Sequence, residues 1–200
     1  MKPKNKELLI VFVRNAIAGK VKTRLARAIG AERALDVYRQ LLEHTYAVTH
    51  GLCCDKAVYY SDYVEQDDLW NHQAFIKHQQ RGGDLGKRML NAFRDAFGCG
   101  YQKVVLIGSD TFQLSSDLLQ AAFDHLNRCD VVLGPAHDGG YYLIGMKQMH
   151  ALLFKNKQWS SEHVLHATLE DLRNLNGSYH LLDELVDIDT EEDLRLSGRL

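Results

Sequence analysis

The sequence predicts an α/β protein of three α/β/α layers, with a mostly parallel central sheet covered by helices on both faces. Two observations carry this. Apolar, β-rich runs alternate with helical patterns along the chain, as strands joined by covering helices do. The first run, Leu8–Val13 (LLIVFV), is apolar throughout rather than alternating, as a strand buried on both faces has to be. The 200 residues, 46% hydrophobic and 25% charged, have the length and composition of one globular domain, taken as residues 1–200.

In chain order, Leu8–Val13 is the first strand. Ala31 to Val48 repeats apolar residues at helical spacing through Ala34, Val37, Tyr38, Leu41 and Thr45. Ala57–Tyr60 reads as a second strand and Ala74–Ile76 as a weak third. Asp84 is placed to cap a helix that buries Leu85, Met89, Phe93 and Ala96 and ends at Gly98. Val104–Ile107 is the next strand, followed by a helix from Ser115 to Leu126. Val131–Leu133 and Tyr141–Ile144 are further strands. A helix over Ser161–Leu172, a short strand over Tyr179–Leu182 and a helix over Thr190–Leu196 close the chain.

Several function classes fall away. The longest apolar run is far short of the roughly 20 residues that cross a bilayer. The basic stretch Met1–Lys6 leads into a strand rather than into the small-residue cleavage site of a signal peptide. A net charge of −2 gives no electrostatic reason to expect nucleic acid. The four cysteines show no CxxC spacing, which points to reduced thiols, buried as small hydrophobes, in a cytoplasmic protein.

Sheets of this kind place their sites beyond the carboxyl ends of the strands, so residues just after strands are the functional candidates. After the first strand, Arg14, Lys20, Lys22, Arg24 and Arg27 fall in a stretch without a single acid. Cations concentrated at a strand end suit a polyphosphate, with Gly19 allowing close backbone approach. In an extended loop Lys20, Lys22 and Arg24 alternate and point to one side. The bland alternative is a solvated basic loop. Neither GxxxxGK[ST] nor GxGxxG is present.

The acids complete the set. Asp110 follows Val104–Ile107, where a carboxylate can hold Mg²⁺ together with substrate phosphates; the alternative is a helix cap, for which Ser115 and Ser116 are better placed. Asp138-Gly139-Gly140 is either a hairpin turn or an acceptor site in which the glycines open space and Asp138 binds or deprotonates a hydroxyl. Asp183–Asp193 holds seven acids, most of them suited to a helix start. Asp187 and Asp189 flank Ile188 and point the same way from an extended chain, so either can supply a second metal ligand. Trp159, before Ser160 and Ser161, is a core residue or a stacking face.

The blocks Gly19-Lys20-Val21-Lys22-Thr23-Arg24-Leu25, Ile107-Gly108-Ser109-Asp110, Asp130–Ala136, Asp138–Gly145, Trp159-Ser160-Ser161 and Asp187-Ile188-Asp189-Thr190 follow in order over nearly the whole chain. Together they resemble the bacterial radical-SAM/selenodomain-associated transferases, also described as predicted glycosyltransferases. The resemblance implies the GT-A nucleotide-diphospho-sugar transferase fold. It implies that Gly19, Lys22 and Arg24 grip nucleotide phosphates, with Arg14 and Ser109 beside them. It further implies that Asp110, with Asp187 or Asp189, binds Mg²⁺ or Mn²⁺. The sequence departs from the pattern at Asn15-Ala16-Ile17-Ala18, where prolines are usual, and at Phe112, where a proline is usual; both changes remove stiffness rather than charge.

The expected activity is a metal-dependent transferase using a nucleotide-activated donor. Lys22, Arg24, Asp110 and Asp138 are its catalytic set; Asp138, Gly139, Gly140, Trp159 and Ser160 hold the substrate, an unidentified small-molecule acceptor. Glycosyl transfer from a nucleotide sugar is favoured on the description of the resembling group. The alternatives are a guanylyltransferase-like nucleotidyltransferase joining NTP to a small phosphorylated acceptor, and a non-catalytic nucleotide-binding protein.

Overall fold

The computed structural model describes residues 3–198, so Met1 and Lys2 of the basic N-terminal stretch lie outside the described residues. Its strands are β1 (Glu7–Val13), β2 (Asp55–Tyr60), β3 (Ile76–Gln79), β4 (Lys103–Ile107), β5 (Val131–Pro135), β6 (Tyr141–Met146) and β7 (Tyr179–Leu181). Among the described residues they form one sheet in the order β3-β2-β1-β4-β6-β5-β7. Only β6 runs against its neighbours β4 and β5; every other pairing is parallel. The helices are α1 (Thr23–Ile29), α2 (Ala31–Thr49), α3 (Leu85–Gly98), α4 (Ser116–His125), α5 (Val164–Asn174) and α6 (Glu191–Leu196).

The period of two along each strand makes two cores. Leu9, Val11 and Val13 of β1 join Val58, Val105, Ile107 and Val132 in packing against α2 and α4. Leu8, Ile10 and Phe12 join Ala57, Leu106, Leu133 and Ile144 in packing against α3 and α5. Both faces of β1 are therefore covered, which is why its sequence does not alternate. The three-layer expectation holds. Asp84, Ser115 and Thr190 cap α3, α4 and α6, each accepting a backbone N–H, so Asp110 is not a helix cap. No helix among the described residues is long and apolar enough to cross a membrane.

Four local expectations are corrected. The third strand is Ile76–Gln79, overlapping Ala74–Ile76 only at Ile76. Ala74 and Phe75 belong to a turn closed by Asn71, and Phe75 packs on Trp70. β3 is an edge strand, and the polar Lys77, His78 and Gln79 concealed it from an apolar pattern. The basic loop also ends in the unexpected helix α1, separated from α2 by Gly30 at φ 88°, a conformation glycine adopts without strain. α5 starts at Val164 rather than Ser161. Cys54 and Cys129 are buried, but Cys53 and Cys99 are exposed, so the buried reading holds for half of the free thiols.

Candidate active site

The carboxyl ends of β1, β2 and β4 open on a cleft of about 670 Å³, completed by the start of α3, the β5–β6 turn and residues 159–161. Arg14, Lys22, Arg24, Ser109, Asp110, Asp138, Gly140, Trp159, Ser160, Asp187 and Asp189 all line it; Gly19 and Gly139 do not.

Its centre is a knot of opposite charges. The Lys22 ammonium contacts the Asp110 carboxylate and lies 3.4 Å from Asp189 Oδ1, with only 4% of its side chain exposed. Arg24, 66% exposed, places Nη1 3.6 Å from Asp189 Oδ2. Burial works against charge on Lys22, but Asp110 and then Asp189 outweigh it and hold the ammonium above its ordinary pKa. Lys22 stands at φ 46°, ψ 46°, just before α1, so it turns inward while Lys20 stays exposed. The loop is therefore turned rather than extended as expected, although Lys20, Lys22 and Arg24 all line the cleft.

The backbone explains why the acids meet. Ile188 N–H donates to Asp110 O at 2.8 Å and Val186 N–H to Gln113 Oε1 at 2.7 Å, docking the segment before α6 onto the loop after β4. Ile188 is buried in the core, so Asp187 and Asp189 face the cleft together, as their spacing predicts. Oδ1 of Asp187 is buried and makes no hydrogen bond. Burial, and then the charge of Asp110, push the Asp187 pKa up to about 7, against the opposing pull of Lys22. Among the described residues, no three His, Cys, Asp or Glu side chains are gathered as a metal-ligand set.

The loop after β1 is ordered without prolines. Asn15 is buried: its Oδ1 accepts from Asp62 and Tyr63 N–H, and its Nδ2 donates to Tyr63 O at 3.0 Å. Tyr38 Oη accepts from Arg14 N–H at 2.8 Å, donates to Arg14 O at 3.2 Å, and lies 3.5 Å from Ser109 Oγ. Arg14 itself is exposed at the rim. Gly19, at φ 75°, serves a turn rather than ligand approach. Phe112 packs edge-on against His44.

Asp138-Gly139-Gly140 is a hairpin turn and also part of the site. Gly140 N–H donates to Asp138 Oδ1 at 2.9 Å, and the exposed Asp138 borders the cleft. Gly139 does not open space for a substrate: a Cβ there would lie 2.2 Å from Glu162 O, so its hydrogen atom lets the segment before α5 dock. Similarly, a Cβ on Gly86 would lie 2.3 Å from Trp159 Nε1, so Trp159 lies across the first turn of α3 at the cleft wall.

Gln80 and Arg88 were not foreseen. Gln80 Nε2 donates to Val13 O and Tyr59 O, and Arg88 donates to Gln80 Oε1 and Gly82 O, giving the cleft a further cation away from Lys22. The strand-end rule reaches Gln80 once β3 is placed correctly; misplacing that strand hid it.

Residues 42–161 match the family model described as "Uncharacterized protein conserved in bacteria (DUF2064)". None of the curated proteins compared with the chain matches it. The structure is similar, at TM-score 0.89 and 31% identity over 98% of this chain and 87% of the other, to a Desulfovibrio desulfuricans G20 protein provisionally assigned as a nucleotide-diphospho-sugar transferase. At 14% identity and TM-score 0.56, over 100% of this chain and 97% of the other, it shares its fold with the inositol-1-phosphate CTP transferase of T. maritima. It likewise shares its fold with Rv0371C of Mycobacterium tuberculosis H37Rv, solved with manganese, at 11% identity and TM-score 0.53 over 95% of this chain and 96% of the other. The expected nucleotide-diphospho-sugar transferase fold is thereby established; the radical-SAM and selenodomain association is no part of these descriptions.

Proposed function

The chain belongs to the bacterial family DUF2064, and from that premise we propose that it is a transferase with a nucleotide substrate, and within that class a glycosyltransferase drawing on a nucleotide sugar. The observation that carries this reading is the meeting of Lys22 and Arg24 with Asp110, Asp187 and Asp189 in one cleft at the strand ends. The provisional assignment of the Desulfovibrio protein supports the choice of a sugar donor.

Lys22 and Arg24 neutralise the donor diphosphate, Arg24 from the rim and Lys22 from the floor. Trp159 offers an aromatic wall to the transferred group or the acceptor. Asp138, exposed at the β5–β6 turn, accepts the hydrogen bond of the acceptor hydroxyl and takes its proton as the new carbon–oxygen bond forms. The bond between the sugar and the diphosphate breaks, and the nucleoside diphosphate leaves on the two cations.

The donor set fits Mg²⁺ or Mn²⁺. Asp187 presents a buried oxygen without a partner beside Asp110, and such ions take one or two carboxylates and complete their shell with water and substrate phosphates. Asp110 and Asp187 would hold the ion, Asp187 through its unpartnered oxygen and Asp110 once Lys22 gives it up, whereas Asp189 pairs with Arg24 as well as Lys22. Bound there, it supplies Lewis-acid stabilisation of charge on the leaving phosphate.

The test is a thermal-shift screen of nucleotides and nucleotide sugars with and without Mn²⁺, followed by product analysis of the hits. A stabilising nucleotide sugar from which nucleoside diphosphate is released supports the reading. Release of pyrophosphate from an NTP instead identifies a nucleotidyltransferase. Binding without any product identifies a non-catalytic nucleotide binder, and the absence of any stabilising nucleotide removes the reading altogether.

A further inference from the structure

The reading above asks two things of one spot: Lys22 must reach a phosphate, and Asp110 must receive a divalent cation. Both groups are already spent on each other. The Lys22 side chain is 4% exposed, its ammonium contacts Asp110, and Asp189 flanks it at 3.4 Å. An ammonium so enclosed and paired is not free, where it stands, to take an anion from the cleft. Asp110, although half-exposed, carries a positive charge where a metal ion would add another, and like charges on one carboxylate repel. The Lys22 backbone lies in the left-handed region, which lysine adopts at a cost, directly after the turn centred on Gly19. The neighbouring Asp187 Oδ1 has no hydrogen-bond partner, while Asp110 and Asp189 share Lys22 and Asp189 also pairs with Arg24.

We propose that Lys22 is a latch on the cation position: its ammonium occupies Asp110 in the free protein, so a divalent cation binds weakly until the phosphates of a nucleotide draw Lys22 away and release the carboxylate. The proposal rests on the nucleotide-transferase reading above and specifies how that site is regulated. One movement meets both demands, giving Lys22 to the phosphates and Asp110 to the ion. Nucleotide and cation thereby favour each other through a residue of the chain as well as through direct contact, and the coupling is reciprocal. The latch lowers apparent metal affinity by the fraction of molecules in which it is open.

Mn²⁺ binding to the free protein, read from the electron paramagnetic resonance signal of the unbound ion, tests this without turnover. The proteins compared are the wild type, Lys22→Met, Lys22→Arg, and Lys22→Met combined with Asp110→Asn, each checked for folding by circular dichroism. With an open fraction of roughly 1–10%, Lys22→Met binds Mn²⁺ about ten- to a hundredfold more tightly than wild type. Lys22→Arg keeps the charge and stays weak, and adding Asp110→Asn removes the gain. Mn²⁺ also raises the melting temperature of Lys22→Met more than that of the wild type, a readout independent of the resonance signal. If Lys22→Met binds no more tightly than wild type, while adding Asp110→Asn to it still weakens binding, the latch is overturned and the metal site stands. If binding tightens equally in Lys22→Arg, charge is not the latch and the proposal falls. If the gain survives Asp110→Asn, the ion is not on Asp110, and the latch falls together with the metal assignment beneath it.

Discussion

Lys22, at the end of the loop after β1, rests its ammonium on the carboxylate of Asp110, in the loop after β4, and both face the cleft. The basic loop and the acidic strand end are thus one site. The contact holds two elements that the sheet only brings near each other, and it gives a buried lysine the partner that burial requires.

Asp187 makes the stability of the metal-free protein depend on pH. Its folded-state pKa is pushed up to about 7, by burial and then by Asp110, against roughly 3.9 for an unfolded aspartate. Between these values the folded state holds the extra proton, so its contribution is complete below about pH 4 and is lost as pH rises through about 7, a loss of the order of a few kcal/mol. Urea unfolding at several pH values checks this: wild type weakens over that window, and Asp187→Asn weakens less by that amount. Parallel profiles in the two proteins refute it.

Gly139→Ala strikes the turn that carries Asp138. The residue stands at φ 84°, and the added carbon would lie 2.2 Å from Glu162 O. Backbone strain and overpacking together cost about 2–4 kcal/mol. A variant within about 0.5 kcal/mol of wild type in denaturant unfolding would mean that the turn and the segment before α5 are not docked as described.

Tyr38→Phe removes a hydroxyl that serves both the N–H and the C=O of Arg14. The orphaned donor costs about 1–3 kcal/mol. Amide exchange at Arg14 should quicken in the variant, because its N–H loses its acceptor. Unchanged protection there would show that Tyr38 does not order the loop.

The layers were legible because a strand covered on both faces needs a continuous apolar run, and Leu8–Val13 is one. β3 was not, since this edge strand carries the polar Lys77, His78 and Gln79 and leaves no apolar periodic signal. The spacing of Asp187 and Asp189 about Ile188 showed that they share a face, because that depends on local chain geometry alone. What Lys22 does was hidden for the opposite reason: charge density marks a phosphate loop, but its Asp189 partner lies 167 residues along the chain. Only the tertiary fold turns that lysine inward. Gly139 misled in the same way, since a glycine that admits another loop looks in sequence like one that admits a ligand.

The most direct test of the central claim is calorimetric titration of a nucleoside diphosphate, with Mn²⁺ present, into the wild type and into the double variant Lys22→Ala/Arg24→Ala. Two charge-assisted phosphate contacts at about 1.5–3 kcal/mol each, offset by the roughly 1.4–2.7 kcal/mol that opening the Lys22 latch costs the wild type, predict a loss of roughly tenfold or more in affinity. Equal affinity in the two proteins would contradict the account, because the phosphates would then be bound without the cations that define the cleft.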